Sequence, residues 1–172
     1  KIQSIYLDLS KILIFYPNLH MSALMPQSVG IFTALLKREG YTLDLFDCTY
    51  YLDADIEEQG IGKNTNAEKV INRNVRKFDD KIWQGKGIAP KIGIEKDFKN
   101  KISTFQPDLI LVSVLESTYF LAINLLNSIP EKDRKFKTLF GGVFATYASD
   151  KVIKNDLVDY VCRGEGEGAV VE

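Results

Sequence analysis

Two short apolar runs constrain this chain most. Lys11 to Tyr16 (KILIFY) and Leu109 to Leu115 (LILVSVL) are of strand length and show no regular polar alternation. That is the pattern of strands covered on both faces, as in the middle of a parallel sheet flanked by helices. Parallel neighbours cannot be joined by a tight hairpin, so the sequence between such strands must supply crossovers.

The first crossover is legible. From Pro26 to Glu39, apolar residues fall at Val29, Phe32, Leu35 and Leu36, with Lys37-Arg38 before Gly40. Helical spacing, a proline at the start and a glycine beyond the end together predict one helix. Tyr41 to Cys48 reads as a second strand, less buried on one face. Strand, helix and strand within about 40 residues form a right-handed βαβ unit. The stretch 53–106 reads as a variable insert, with a polar helix at Ala67 to Phe78, a loop at Trp83 to Gly93 and a second helix at Glu95 to Phe105. After the turn Gln106-Pro107-Asp108 comes the third strand, then a helix from Thr118 to Ile129 that Pro130 ends. Thr138 to Phe140 is a fourth strand, a short helix capped by Ser149 runs to Lys154, and Val158 to Cys162 is a fifth strand. Alternation of five strands with helices specifies a doubly wound α/β fold of flavodoxin-like order 2-1-3-4-5.

Bulk properties narrow the partners. At 172 residues, 45% of them hydrophobic, the chain suits one domain spanning 1–172. A formal net charge of −1 leaves no electrostatic footprint for nucleic acid and no basic patch for a membrane surface. No apolar stretch reaches the roughly 20 residues of a bilayer span. Cys48 and Cys162 lie far apart in apolar runs, which predicts reduced, buried thiols and a cytoplasmic protein. The chain begins at Lys1, and Gly168 to Glu172 reads like the opening of a further helix, so a longer parent is expected.

In open α/β sheets ligands bind at the carboxyl ends of the strands, beside the point where strand order reverses. Three of those ends are rich in small residues. Ser113 interrupts an apolar strand and needs a partner, backbone or ligand. Gly141-Gly142 is either a tight strand-to-helix turn or a place where a ligand lies against backbone. Arg163-Gly164-Glu165-Gly166-Glu167-Gly168 follows the last strand, at the wrong spacing and position for a dinucleotide fingerprint. A receiver domain is disfavoured because its acids and lysine are replaced by Tyr16-Pro17-Asn18, Ser113 and Arg163; a flavodoxin is disfavoured because Asn18 to Met25 holds one serine.

Taken in order, Ser113-Val114-Leu115 and Gly141-Gly142 resemble the Ser-x-Leu and Gly-Gly of cobalamin-binding domains. The chain is most similar to the cobalamin domain that precedes a radical S-adenosylmethionine catalytic domain. Pro26, the helix from Gly30 to Gly40, Pro107-Asp108-Leu109, and the close Val158-Asp159-Tyr160-Val161-Cys162-Arg163-Gly164-Glu165-Gly166-Glu167 carry that likeness. The resemblance implies a slot beside the sheet for the nucleotide tail of cobalamin, with the corrin ring on the strand ends. It implies cofactor contacts from Asn18, Leu19, His20 and Met21, from Ser113, Leu115, Glu116, Ser117 and Thr118, from Gly141, Gly142, Val143, Phe144 and Ala145, and from Arg163, Gly164, Glu165 and Gly166. It also implies a downstream domain holding a [4Fe-4S] cluster and S-adenosylmethionine, and methyl transfer by the parent. Two distant cysteines cannot hold that cluster, so this chain would bind rather than catalyse. The alternative is a stand-alone corrinoid carrier or another non-catalytic ligand-binding module.

His20 tests the lower face of cobalt. Many cobalamin domains use Asp-x-His-x-x-Gly, whose imidazole ligates the metal while the Asp fixes its tautomer. Here Asn18-Leu19-His20-Met21-Ser22-Ala23 keeps only the histidine, and the spacing to the next helix is longer. His20 is therefore expected as a polar loop residue near the ring rather than as a cobalt ligand.

Overall fold

The computed structural model describes residues 10–19, 26–54 and 91–170. Among these, β1 (Lys11–Tyr16), α1 (Gln27–Arg38) and β2 (Thr42–Asp47) form the first crossover unit, followed by a 3-10 turn at Leu52–Ala54. Helix α2 (Ile94–Phe105) leads to β3 (Leu109–Ser113), and α3 (Glu116–Asn127) with a 3-10 turn at Glu131–Asp133 leads to β4 (Lys137–Gly141). Two short helices, α4 (Val143–Tyr147) and α5 (Ser149–Val152), precede β5 (Tyr160–Val161). The strands make one parallel sheet in the order β2-β1-β3-β4-β5, the doubly wound order expected from the sequence.

Among the described residues, the two faces of the sheet are covered unequally. Leu13, Phe15, Ile110, Val112 and Phe140 point to one side and join residues of α2 and α3 in the larger core. Phe98 of α2 packs its ring 4.9 Å from Phe15 and 5.0 Å from Phe46. Each fully buried side chain of this size contributes roughly 1.5–3 kcal/mol, so this face carries most of the hydrophobic stabilisation. On the other face Ile12, Leu36 and Leu111 form a small buried cluster, edged by Phe32, Leu139 and Val170. Leu36 is the one buried residue of α1.

Two aspartates fasten strand starts. The Asp108 carboxylate, just before β3, accepts from the backbone N–H of Lys11 at 2.8 Å and of Ser10 at 3.0 Å. Asp159, just before β5, accepts from the Thr138 N–H at 2.9 Å and from the Lys137 ammonium at 2.7 Å. The Pro-Asp-Leu and Val-Asp-Tyr segments thus lock neighbouring parallel strands into register.

Several boundaries differ from those read in the sequence. Strand β3 ends at Ser113, with Val114 N–H to the Gly141 carbonyl as its last bond to β4, and α3 opens at Glu116, two residues early. Ser149 does not cap its helix; it is the first helical residue, with Ala148 in the capping position. Helix α4 was not expected from Val-Phe-Ala-Thr-Tyr, since four of those five residues favour strands. The polar helix expected at 67–78 and most of the loop expected at 83–93 lie outside the described residues.

Candidate functional site

Parallel register stacks the carboxyl ends of the strands in rows. Ile14 pairs with Leu111 and Leu111 with Leu139, giving an apolar row on the thinly covered face. Side chains alternate along a strand, so the next row on that face is Tyr16, Ser113 and Gly141, followed by Cys162 beyond β5. The two central members of that row are small. A cleft of about 280 Å³ opens above them, with Ile14, Leu111 and Leu139 as floor, Gln27, Ser28, Ile31 and Phe32 of α1 as roof, and Gly164 to Glu167 with Val170 closing the side.

The paired glycines divide their work. Gly142 has φ 91° and ψ −176°, a combination essentially restricted to glycine. A Cβ there would stand 2.8 Å from the Val114 carbonyl oxygen and 3.2 Å from Ser113 Oγ. The same carbonyl accepts from Phe144 N–H at 3.2 Å, so Gly142 brings the ends of β3 and β4 together. A Cβ on Gly141 would meet nothing nearer than Cys162 Cβ at 3.9 Å, which makes this glycine a source of open space.

The closing loop is held against both walls. A Cβ on Gly166 would lie 2.9 Å from Cζ of Phe32, so backbone presses directly on the aromatic edge of the roof. Gly164 N–H donates to Thr146 Oγ1 at 3.0 Å, and that hydroxyl donates to the Gly142 carbonyl at 3.0 Å. One threonine therefore ties the loop to the glycine turn.

Of the residues implicated by sequence, Ser113, Gly141, Gly142, Gly164, Glu165 and Gly166 line this cleft. Leu115, Glu116 and Ser117 lie exposed at the start of α3, above the strand ends. Thr118 is buried and serves that start: its Oγ1 accepts from Leu115 N–H at 3.0 Å. Val143 and Arg163 are exposed, Ala145 is buried in the larger core, and Phe144 packs 5.1 Å from the Tyr119 ring. Asn18 is buried, its amide donating to Thr49 Oγ1 at 2.9 Å, which joins the end of β1 to the end of β2. Leu19 is half-buried; His20 and Met21 lie outside the described residues.

Sequence reasoning missed the roof and the flanks. Gln27, Ser28, Ile31, Phe32, Tyr16 and Cys162 all line the cleft. The available signal was Ile31, an apolar residue off the main stripe of α1 and 43% exposed. Cys162, expected buried, is half-buried at the cleft; Cys48 is fully buried, and both are free thiols. Burial, with a smaller contribution from the Asp47 carboxylate, raises the pKa of the Tyr16 hydroxyl, which keeps it a neutral hydrogen-bonding group. Among the described residues no group of three or more His, Cys, Asp or Glu side chains could hold a metal ion, and no helix is long and apolar enough to cross a membrane.

The arrangement defines a doubly wound α/β domain with a cleft between its first helix and one face of its sheet. The chain belongs to the B12-binding domain family, whose model matches residues 83–172. Among solved structures, the radical S-adenosylmethionine methyltransferase TsrM from Kitasatospora setae, solved with tryptophan substrate and an S-adenosylmethionine analogue bound, is similar in fold. That match has a TM-score of 0.58 at 15% identity and covers 92% of this chain but 24% of the other, so this chain spans about a quarter of that protein. An FMN-dependent NADH-azoreductase from Bacillus anthracis str. Ames Ancestor, in complex with FMN, aligns at a TM-score of 0.39 and 11% identity over 95% of this chain and 90% of its own. No curated protein sequence matches the chain.

Proposed function

We propose that the chain binds cobalamin, taking the nucleotide tail into the cleft between α1 and the sheet and carrying the corrin ring on the strand ends. The observation that supports this best is the row in which Ser113 pairs with Gly141, small residues side by side above an apolar floor, in a chain of the B12-binding family. The cleft's volume of about 280 Å³ falls just below the ~300–1,000 Å³ range of small-molecule pockets. It therefore suits one arm of a large ligand, not the whole of it. Leu115, Val143 and Tyr147, all exposed near the same strand ends, offer an apolar surface for the ring. Val29, Ile31 and Phe32 screen the tail from water on the α1 side.

When bound, cobalamin supplies a cobalt centre able to carry a methyl group. We further propose that the parent protein delivers this cofactor to a radical S-adenosylmethionine domain with its own [4Fe-4S] cluster, and that methyl transfer follows there. Titration with hydroxocobalamin should saturate at one corrin per chain. The parent gene beyond Glu172 should encode Cys-x-x-x-Cys-x-x-Cys; a reading frame that closes without it would instead make this a stand-alone corrinoid carrier.

A further inference from the structure

We propose that the loop from Arg163 to Gly168 is a gate and that Thr146, a residue outside the lining of the cleft, is its latch, setting how fast a bound cofactor exchanges. That the exchanging ligand is cobalamin rests on the reading above; the latch does not depend on it.

Among the described residues, the segment between Cys162 and Val170 has one hydrogen bond to the rest of the domain, from Gly164 N–H to Thr146 Oγ1 at 3.0 Å. The threonine proton goes to the Gly142 carbonyl at 3.0 Å, which leaves the hydroxyl's lone pairs for Gly164. The remaining hold is packing: Gly166 lies on the edge of Phe32, and Val170 rests on the small cluster of Ile12, Leu36 and Leu111. One net hydrogen bond shifts an equilibrium by about three- to tenfold, so the loop is fastened by an interaction that is easily made and broken. Cys162 stands behind it, with Sγ 3.9 Å from the Glu165 carbonyl oxygen. Parting the loop therefore uncovers this thiol together with the side wall of the cleft. Because the latch joins two protein groups, it opposes passage in both directions, and its loss should speed entry and exit alike.

Thr146→Val keeps the branched shape and removes the hydroxyl. In the chain without added corrin, iodoacetamide should label Cys162 about three- to tenfold faster in this variant, and Thr146→Ser should restore the natural rate. Buried Cys48 should stay unlabelled throughout, which reports global unfolding in the same sample. Where valine exposes Cys48, Thr146→Ala takes its place. With hydroxocobalamin as the probe, stopped-flow association and release should both quicken in Thr146→Val by a similar factor, leaving Kd nearly unchanged. Unchanged labelling of Cys162 would overturn the latch. Faster release with unaltered association would make Thr146 a support of the bound state alone and overturn the gate. Should the natural chain bind no hydroxocobalamin, the cobalamin reading falls, and the labelling rates alone decide the latch.

Discussion

A side-chain carbon on Gly142 would stand 2.8 Å from the carbonyl oxygen of Val114, closer than a non-bonded carbon and oxygen approach. Its positive φ adds strain for any other residue. Gly142→Ala should therefore destabilise the fold by about 2–4 kcal/mol in urea unfolding. Gly141→Ala, whose methyl meets only Cys162 at 3.9 Å, should cost less than about 1 kcal/mol. Comparable losses for the two variants would contradict the division of roles.

This separation of roles is not encoded in the glycine pair itself. The Gly141-Gly142 pair was visible, but which glycine serves the turn and which the cleft depends on a contact with Val114 from a different strand end. Strand β1 was read to the residue because Ile12 to Phe15 are all buried, leaving no competing pattern. The order of the sheet followed from the alternation of strands and helices. The roof of the cleft was not legible, since the position of Phe32 over Gly166 is set by tertiary packing that helical periodicity does not encode. Asn18 shows the reverse case: a loop residue with a plausible ligand role is occupied in joining β1 to Thr49.

Asp108 should give the fold a pH dependence of known sign. Hydrogen bonds from the Lys11 backbone first, and from Ser10, hold its carboxyl below the usual aspartate range despite opposing desolvation. A depressed carboxyl stabilises the fold fully above its unfolded value of about 3.9; that contribution fades as pH falls through the lower folded value. Asp108→Ala should remove about 1 kcal/mol at pH 7 and less at pH 3. An equal loss at both values, measured by urea midpoints, would count against the clamp.

The two thiols should behave differently. Cys162 lines the cleft, whereas burial pushes the Cys48 thiol far above its ordinary value and hides it from solvent. Iodoacetamide followed by peptide mass spectrometry should label Cys162 in the free chain and spare Cys48. Bound cobalamin should protect Cys162. Unchanged labelling with saturating cofactor would place the ligand elsewhere.

His20 is expected to leave cobalt alone. Asn18, at the position where the ligating motif has its aspartate, is bound to Thr49 and buried. The visible spectrum of the bound cofactor should be nearly the same in His20→Ala as in the natural chain. A clear shift in the corrin bands would make His20 a ligand after all.

Retention of corrin colour through desalting tests the central claim most directly. The natural chain, incubated with hydroxocobalamin, should emerge with about one corrin per chain. Ser113→Leu, which fills the cleft beside Gly141, should fold but bind on the order of 100-fold more weakly and emerge nearly colourless. A folded natural chain that emerges colourless would contradict the account, as would a Ser113→Leu chain that keeps its full complement.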